Sequence, residues 1–96
     1  MIIENVLPEN YAEMLNVWEN SVRATHDFIT EEDIEFFKPI IIEQAFPAVI
    51  LRCVKSESGS IIGFVGIHDS KIEMLFILNE ARGKGVGKVL LQYAIE

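Results

Sequence analysis

The residues best suited to chemistry form a short loop near the end of the chain. Glycines and cations alternate there in the segment Arg82-Gly83-Lys84-Gly85-Val86-Gly87-Lys88. The loop lies between an apolar, strand-like stretch at 71–78 and the start of a helical pattern. The N–H groups in the first turn of a helix lack intrahelical partners and lie at the positive end of the helix dipole, so they bind anions. The loop therefore predicts a site for a phosphorylated ligand.

The spacing of the glycines separates this loop from two common phosphate-binding motifs. A dinucleotide-binding fingerprint reads G-x-G-x-x-G and follows the first strand of a βαβ unit. Here the third glycine comes one residue early, and the loop follows the last strand of a hairpin series. A P-loop reads G-x-x-x-x-G-K-[ST], and Gly87 and Lys88 fit its end, but Val89 replaces the hydroxyl residue. Arg82 also stands where the P-loop has its first glycine. The spacing excludes both motifs.

The charge of the whole chain narrows the class of ligand. Its 96 residues carry a formal net charge of −7, and three of the eight Lys and Arg residues lie in this loop. This balance is unsuited to nucleic acid or an anionic membrane, and it fits a small anionic cofactor with a cationic second substrate. Cys53 is the one cysteine, which excludes an intrachain disulfide, and no spacing indicates a metal site. The start of the chain does not read as a signal peptide, so we expect a cytoplasmic protein.

The elements that must position the loop can be predicted from periodicity. Residues 2–7 form a short strand ended by Pro8, which suits the first turn of a helix. Apolar side chains then recur every three or four residues and predict one buried helical face: Tyr11, Met14, Leu15, Trp18 and Val22. A capping box at Thr30 begins a second helix. Its expected apolar face comprises Ile34, Phe37, Ile41 and Ala45. Pro39 lies within this face and predicts a kink or two short helices.

The second half of the chain is rich in strand-like segments. These span 48–55, 60–67 and 71–78 and are separated by tight turns, which predicts an antiparallel meander. The glycines of the middle segment predict a bulge or weak pairing there. The complete order of elements is β-α-α-β-β-β-α, which defines an α+β fold class.

The motif Arg82-x-x-Gly85-x-Gly87, at the end of an apolar strand, resembles the Q/R-x-x-G-x-G/A motif of the GNAT superfamily of N-acetyltransferases. The predicted order of elements is also that of the superfamily. Residues 18–28 resemble the first-helix signature of small bacterial members. The resemblance implies a GNAT-like mixed sheet that contains the meander. It also implies that residues 1–96 form a single, incomplete acetyl-CoA-binding domain, in which the superfamily's C-terminal strands and helix are missing.

The resemblance implies acetyl-CoA as cosubstrate, no metal, and direct acetyl transfer from the coenzyme A thioester to an amine. The backbone of residues 83–88 would hold the pyrophosphate, and Arg82 with either Lys84 or Lys88 would add charge at the 3′-phosphate or the pyrophosphate. The preceding strand would pair with the pantetheine arm, and one of its N–H groups would stabilise the oxyanion. The expected cofactor-binding residues are Leu75, Phe76, Ile77, Arg82, Gly83, Lys84, Gly85, Val86, Gly87 and Lys88.

Glu73 is the first candidate for the base that frees the amine lone pair. It lies on the predicted cofactor strand, and some superfamily members place a base there. The alternative is an ordinary outward-facing strand carboxylate. His68, in a turn beside Asp69, is expected to face solvent. Tyr93 lies on the motif helix and is not expected to protonate the departing thiolate.

His26 is the second candidate for the base. It lies between the first two helices, where related enzymes form a wall of the acceptor pocket, and the pKa of histidine suits neutral pH. The alternative is a histidine that interacts with the C-terminal end of a helix dipole. The nearby acids either attract a cationic amine or only stabilise the start of the next helix: Asp27, Glu31, Glu32 and Asp33.

Strand 71–78 is expected to be an exposed edge, because the resemblance implies further strands that this chain lacks. A shortened chain, a natural fragment or a chain completed by another copy would each explain this. Pairing of two copies along 71–78 predicts a homodimer or higher association. Two functions stay open: an N-acetyltransferase for a small-molecule or peptide amine, and a non-catalytic acyl-CoA-binding or protein-interaction fragment. The sequence does not distinguish a small amine from a protein N-terminus or a lysine.

Overall fold

The computed structural model describes residues 1–25 and 27–95 and shows an α+β fold. The strands are β1 (Ile3–Asn5), β2 (Ile50–Lys55), β3 (Ile61–His68) and β4 (Lys71–Ile77). The helices are α1 (Tyr11–Thr25), α2 (Glu31–Ile40) and α3 (Val86–Ile95). Short 3₁₀ turns span Pro8–Asn10, Phe46–Ala48 and Asn79–Ala81, and one π-helical turn spans Ile41–Ala45. The predicted order β-α-α-β-β-β-α is confirmed.

The strands form one sheet in the order β1-β2-β3-β4, and each described pair is antiparallel. Asp69 and Ser70 join β3 to β4 with φ angles of 51° and 63°, the positive values that a two-residue hairpin turn of this kind requires. The predicted antiparallel meander is therefore confirmed. Among the described strands β4 is at one edge of the sheet, so one side of its backbone faces away from β3.

Strand β4 contains one residue more than the stretch of β3 that it pairs with. Gly66 of β3 faces Met74. The next residue of β3, Ile67, already faces Ile72, so Glu73 is the additional residue of a β-bulge. Since a bulge changes the direction of side chains, the register at this point decides where Glu73 lies. The bulge predicted at the glycines of β3 is found beside Gly63: Val54 of β2 faces Gly63 and Lys55 already faces Ile61, so Ile62 is an additional residue of β3.

Helices cover both faces of the sheet. One face packs against α1 and α2 around buried side chains that include Met14, Trp18, Ile34, Leu51 and Phe64. The other face packs against α3 around Val54, Val65, Ala81, Val86 and Leu90. A Cβ atom on Gly63 of β3 would lie only 2.8 Å from Cγ1 of Val86, so the absence of a side chain there lets α3 approach the sheet closely. This close packing fixes where α3 begins relative to β4.

The predicted features of α1 and of the start of α2 are confirmed. On α1 the expected apolar residues Met14, Leu15, Trp18 and Val22 are buried. At the start of α2, the hydroxyl of Thr30 accepts a hydrogen bond from the backbone N–H of Asp33 at 3.1 Å. The carboxylate of Asp33 accepts one in return from the N–H of Thr30, which completes a capping box.

The predicted apolar face of α2 is wrong at Phe37, which is 44% exposed. Helix α2 instead meets α1 through buried Ile34 and through Lys38, whose Nζ lies 2.8 Å from Oε1 of Glu19. This contact turns Phe37 outwards. The chain stays helical past Pro39: α2 ends at Ile40, and the π-helical turn Ile41–Ala45 follows it directly. Proline has no N–H to donate within a helix, and the break in the helix that was expected near Pro39 takes the form of this change in winding.

Candidate functional site

The loop between β4 and α3 has the backbone geometry of an anion site. Gly83 and Gly85 have φ angles of 80° and 86°, in the left-handed region that favours glycine. The first α-helical bond of α3 runs from the N–H of Val89 to the carbonyl of Gly85 at 3.1 Å. The N–H groups at 86–88 therefore belong to the first turn, which has no intrahelical acceptors for them. A cavity of about 400 Å³ lies at this point, lined by Ile77, Ala81, Arg82, Gly83, Gly85, Val86, Gly87 and Lys88.

The three glycines of the motif serve two different purposes. Gly83 and Gly85 are needed for their positive φ, because a Cβ atom on Gly83 would meet nothing within 4 Å and one on Gly85 would meet only the end of Met1 at 3.9 Å. Gly87 has no positive φ, but a Cβ atom there would lie 2.8 Å from Cδ1 of Ile77. Gly87 thus allows the start of α3 to pack directly on the end of β4. Together they bring the helix N-terminus to the strand that leads into the loop.

The three cations of the loop line two different cavities. Arg82 and Lys88 both line the cavity at the start of α3. Lys84 lines a neighbouring depression of about 420 Å³ together with Ser56, Ser60, Ile62, Leu78, Glu80 and Ala81. The expectation from sequence left open whether Lys84 or Lys88 accompanies Arg82, and the geometry brings Arg82 and Lys88 together at one cavity.

The backbone of β4 offers hydrogen-bonding groups along its outer edge. The N–H of Leu78 donates to the carbonyl of Ile62 at 2.9 Å, which directs residue 78 towards β3. Because successive residues of a strand direct their polar backbone groups to opposite sides, Phe76 also faces β3, and Leu75 and Ile77 face the open edge. The ring of Phe76 packs against that of Phe64 with centroids 5.7 Å apart. Of the three residues predicted to pair with the pantetheine arm, Leu75 and Ile77 have the free backbone groups.

Glu73 lies at the other end of β4, about 13 Å from Ile77 for four residues of extended strand. Its bulge position brings it beside Met74 on the side of the sheet that α1 and α2 cover. There it lines a cavity of about 380 Å³ with Ala45, Ala48, Val49, His68 and Met74. The prediction that His68 faces solvent is confirmed, since its side chain is 56% exposed, and it also lines this cavity beside Glu73. Its Nδ1 is 3.7 Å from Oδ2 of Asp69. Glu73 is exposed as well, so an accessible carboxylate and imidazole lie beside alanine and valine side chains.

The prediction for His26 falls outside the described residues. On the helix that precedes it, Arg23 donates to Oε2 of Glu31 at 2.8 Å and also to Glu19 at 2.8 Å. Hydrogen bonding to Arg23 lowers the pKa of Glu31, and hydrogen bonds from Lys38 and then Arg23 lower that of Glu19. Glu31 is therefore paired within the protein, which favours the structural interpretation of this acid over attraction of a substrate.

Tyr93 and Cys53, which the sequence did not make catalytic candidates, lie away from the Glu73 cavity. The hydroxyl of Tyr93 on α3 accepts a hydrogen bond from Nε of Arg52 at 3.0 Å, on the opposite face of the sheet. Cys53 is fully buried, and burial raises the pKa of its thiol. Within residues 1–25 and 27–95, no group of three or more His, Cys, Asp or Glu is placed to hold a metal ion. No helix in the same ranges is both long and apolar enough to cross a bilayer.

Sequence reasoning also missed a contact that reaches the loop from α1. Oδ1 of Asn20 accepts a hydrogen bond from the backbone N–H of Asn79 at 2.8 Å. The one sequence signal was a polar residue inside the 18–28 signature that the apolar face of α1 does not use. Such a pairing between residues far apart in the chain has no local pattern.

Known proteins resemble this chain in sequence and in structure. A family model for an acetyltransferase (GNAT) domain matches residues 25–96. The peptidyl-lysine N-acetyltransferase YjaB of Escherichia coli is 31% identical over 87 residues, which cover 91% of this chain and 58% of that protein. The solution structure of apo-form YjaB from the same organism has a TM-score of 0.84 at 30% identity, covering 99% of this chain and 65% of that one. The chain thus spans less than two thirds of the length of YjaB.

The likeness of fold extends to more distant proteins. The crystal structure of the PaiA N-acetyltransferase from Thermoplasma acidophilum in complex with coenzyme A has a TM-score of 0.77 at 22% identity. The matched region covers 97% of this chain and 68% of that one.

Proposed function

Because the chain belongs to the GNAT acetyltransferase family, we propose that it binds acetyl-CoA and serves the transfer of the acetyl group to an amine. The observation that carries this proposal is the loop at the end of β4. Two positive-φ glycines there lead into the unpaired first turn of α3, with Arg82 and Lys88 at the same cavity. Backbone donors and two cations around one cavity suit a pyrophosphate.

The residues of the loop and of β4 divide the work of binding. The N–H groups at 86–88 hold the pyrophosphate, and Arg82 and Lys88 balance its charge. Gly83, Gly85 and Gly87 shape the cradle, and Lys84 adds positive charge from the neighbouring depression. Leu75 and Ile77 pair with the pantetheine arm through their outward backbone groups, in the manner of an added strand. Phe76 supports that edge by packing on Phe64.

Glu73 is the proposed base. The acceptor amine arrives as an ammonium ion and gives one proton to the Glu73 carboxylate, which frees its lone pair. The nitrogen then attacks the thioester carbonyl; the C–N bond forms, the C–S bond breaks, and the second proton that the nitrogen loses protonates the leaving thiolate. The N–H of Leu75, two residues further along β4, faces the open edge and would stabilise the oxyanion that forms on the thioester. His68, in the same cavity, is available to accept the proton from Glu73, and His26 stays an alternative base.

The acceptor amine is proposed from the name of a relative. The similar protein YjaB bears the name of a peptidyl-lysine N-acetyltransferase, so a lysine side chain in a peptide is the first acceptor to test, before small amines. The small apolar side chains around Glu73 would suit the aliphatic stem of such an amine. We propose residues 1–96 as a single acetyl-CoA-binding unit, incomplete relative to YjaB.

The exposed edge of β4 favours a second candidate function, a non-catalytic acyl-CoA-binding or interaction fragment. Two copies could pair along β4, and the same edge atoms of Leu75 and Ile77 would then be unavailable to the pantetheine arm. Coenzyme A should therefore dissociate the dimer. Sedimentation at high micromolar concentration tests this, since a monodisperse monomer without ligand would count against pairing.

Calorimetric titration with coenzyme A and acetyl-CoA tests the leading proposal. Gly85→Ala should weaken binding about ten-fold or more, because the substitution strains the cradle at a positive φ. Gly59→Ala is the matched control, since Gly59 has a φ of 90° in the β2–β3 turn and a Cβ atom there would meet nothing within 4 Å. It should carry the same backbone strain and leave the affinity unchanged. Absence of binding by the parent chain, or equal affinities in the parent and in Gly85→Ala, would refute the cradle.

A further inference from the structure

The hydrogen bond from Asn79 to Asn20 holds the point where β4 turns towards the phosphate loop. Asn20 lies on α1, and its Oδ1 accepts from the backbone N–H of Asn79 at 2.8 Å. Asn79 is the first residue of the 3₁₀ turn Asn79–Ala81, which leads directly to Arg82. A residue of α1 is thus in contact with the segment that delivers the first cation of the cradle.

The N–H of Asn79 requires an acceptor from elsewhere in the fold. The first N–H groups of a helical turn have no partner within the turn, and the preceding residue normally caps them with a Ser, Thr, Asp or Asn side chain. Here the preceding residue is Leu78, whose hydrocarbon side chain packs against both apolar cores and cannot accept a hydrogen bond. Asn20 supplies the missing cap from another helix, with one of the side chains that cap most effectively.

The position of Arg82 depends on this turn. The N–H of Ala81 donates to the carbonyl of Leu78 at 2.9 Å, and the N–H of Arg82 donates to that of Asn79 at 3.2 Å. The hydrogen bond from Asn79 to Asn20 holds the start of this turn, and Arg82 is the last residue that the hydrogen bonds of the turn connect to it. We propose that Asn20 is a positioning residue for the phosphate loop, acting through Asn79 on Arg82 without touching the cofactor. For coenzyme A itself this rests on the proposed function.

Helix α1 also provides an internal comparison. Oε2 of Glu13, two turns before Asn20, accepts a hydrogen bond from the N–H of Ile61 at 2.9 Å. This bond ties α1 to the first residue of β3 and does not reach the turn at 79–81. Loss of the Glu13 bond should reduce stability alone, whereas loss of the Asn20 bond should also disturb the loop.

Four variants of the 96-residue chain test the proposal by amide hydrogen exchange and by calorimetric titration with coenzyme A. Asn20→Ala should speed exchange at Ala81 and Arg82 and weaken coenzyme A binding, each about three- to ten-fold, the loss expected for one hydrogen bond. Asn16→Ala, the same change at an exposed position one turn earlier on α1, should alter neither quantity. Glu13→Ala should lower stability and leave the affinity unchanged.

The fourth variant, Asn79→Pro, removes the donor instead of the acceptor. Proline suits the first position of a helical turn, and the φ and ψ of Leu78, −52° and 137°, are allowed before proline. In this background Asn20→Ala should change the affinity by less than about two-fold, since no N–H remains to be capped.

Three results would overturn the proposal: unchanged exchange at Ala81 and Arg82 in Asn20→Ala, an equal loss of affinity in Glu13→Ala, or a full Asn20→Ala effect in the Asn79→Pro background. If the parent chain does not bind coenzyme A, the proposed function fails. The exchange rates at residues 81 and 82 then decide the role of Asn20 by themselves.

Discussion

The two ends of β4 build their sites by different means. At the C-terminal end, Gly83, Gly85 and the first turn of α3 are neighbours in sequence, and their backbone angles define the cradle. At the N-terminal end, Glu73 shares a cavity with His68 and with Ala45, Ala48 and Val49 because β4 has a bulge there and the chain after α2 packs beside it. The proposed binding end is thus encoded locally, and the proposed chemical end depends on tertiary structure. Changes at one end should therefore leave the other intact.

The largest expected effect is on turnover at the Glu73 end. Glu73→Gln removes the proposed base while keeping the size of the side chain, so kcat should fall about 100-fold or more. The affinity for coenzyme A should stay the same, because the cradle lies at the other end of the strand. Thiol release against a lysine-containing peptide measures turnover, and calorimetry measures affinity.

Glu57→Gln is the control for that experiment, since Glu57 lies exposed in the β2–β3 turn. It should keep full turnover. If Glu73→Gln retains turnover, Glu73 is an ordinary strand carboxylate and not the base. If Glu73→Gln loses affinity for coenzyme A as well as turnover, the two ends of β4 are not independent.

The next effect is on affinity at the loop end. Arg82→Gln or Lys88→Gln should each weaken coenzyme A binding about ten-fold, the value of one charge-assisted hydrogen bond. Lys84→Gln should cost less, because Lys84 lines the neighbouring depression. The difference in affinity loss between Lys84→Gln and the other two variants should shrink as salt is added, because salt screens the charges. Calorimetry at two salt concentrations gives all three values, and an equal or larger loss in Lys84→Gln would contradict the assignment of the cavities.

The smallest expected effect is the loss of stability at low pH in α1 and α2, the helices that cover the Glu73 side of the sheet. Glu19 and Glu31 have lowered pKa values in the folded chain because of Lys38 and Arg23, against an ordinary value of 4.5. Their pairing therefore stabilises the protein above about pH 4.5 and is lost as the pH falls below it. Arg23 and Glu31 are exposed, and Lys38 and Glu19 are only partly buried, so solvent screens these pairs and the effect is small.

Amide exchange at pH 6 and pH 4 measures this effect when each rate is divided by the intrinsic exchange rate at that pH. This corrected exchange in α2 should be faster at the lower pH, and that at the turn 79–81 should not change. The increase in α2 should be smaller in Arg23→Gln, where the partner is already absent. Equal increases in α2 and at 79–81 would show that acid loosens the whole chain and not one end.

Local signals explain what could be predicted from sequence. The glycine loop, the capping box at Thr30 and the buried face of α1 depend on residues within a few positions of one another, and their patterns indicate them directly. The spacing around Arg82 sufficed to exclude two other phosphate loops. The bulge of β3 beside Gly63 was also expected, because a glycine in a strand commonly marks a bulge.

Contacts between residues far apart in the chain explain the features that could not be predicted from sequence. The side on which Glu73 lies depends on its register against β3, so no local pattern places it with His68. The turn of Phe37 towards solvent depends on the contact of Lys38 with Glu19 on another helix. Lys84 and Lys88 look equivalent in sequence, and only the packing of α3 against β4 separates them. Asn20 caps a turn 59 residues away.

Backbone amide chemical shifts during titration with coenzyme A test the central claim most directly. They report on the loop end, the strand edge and the rest of the fold in one experiment. The account predicts large changes at Leu75, Ile77 and residues 82–88, and small ones in β1 and β2. No change at residues 82–88, or changes centred on another part of the chain, would contradict it.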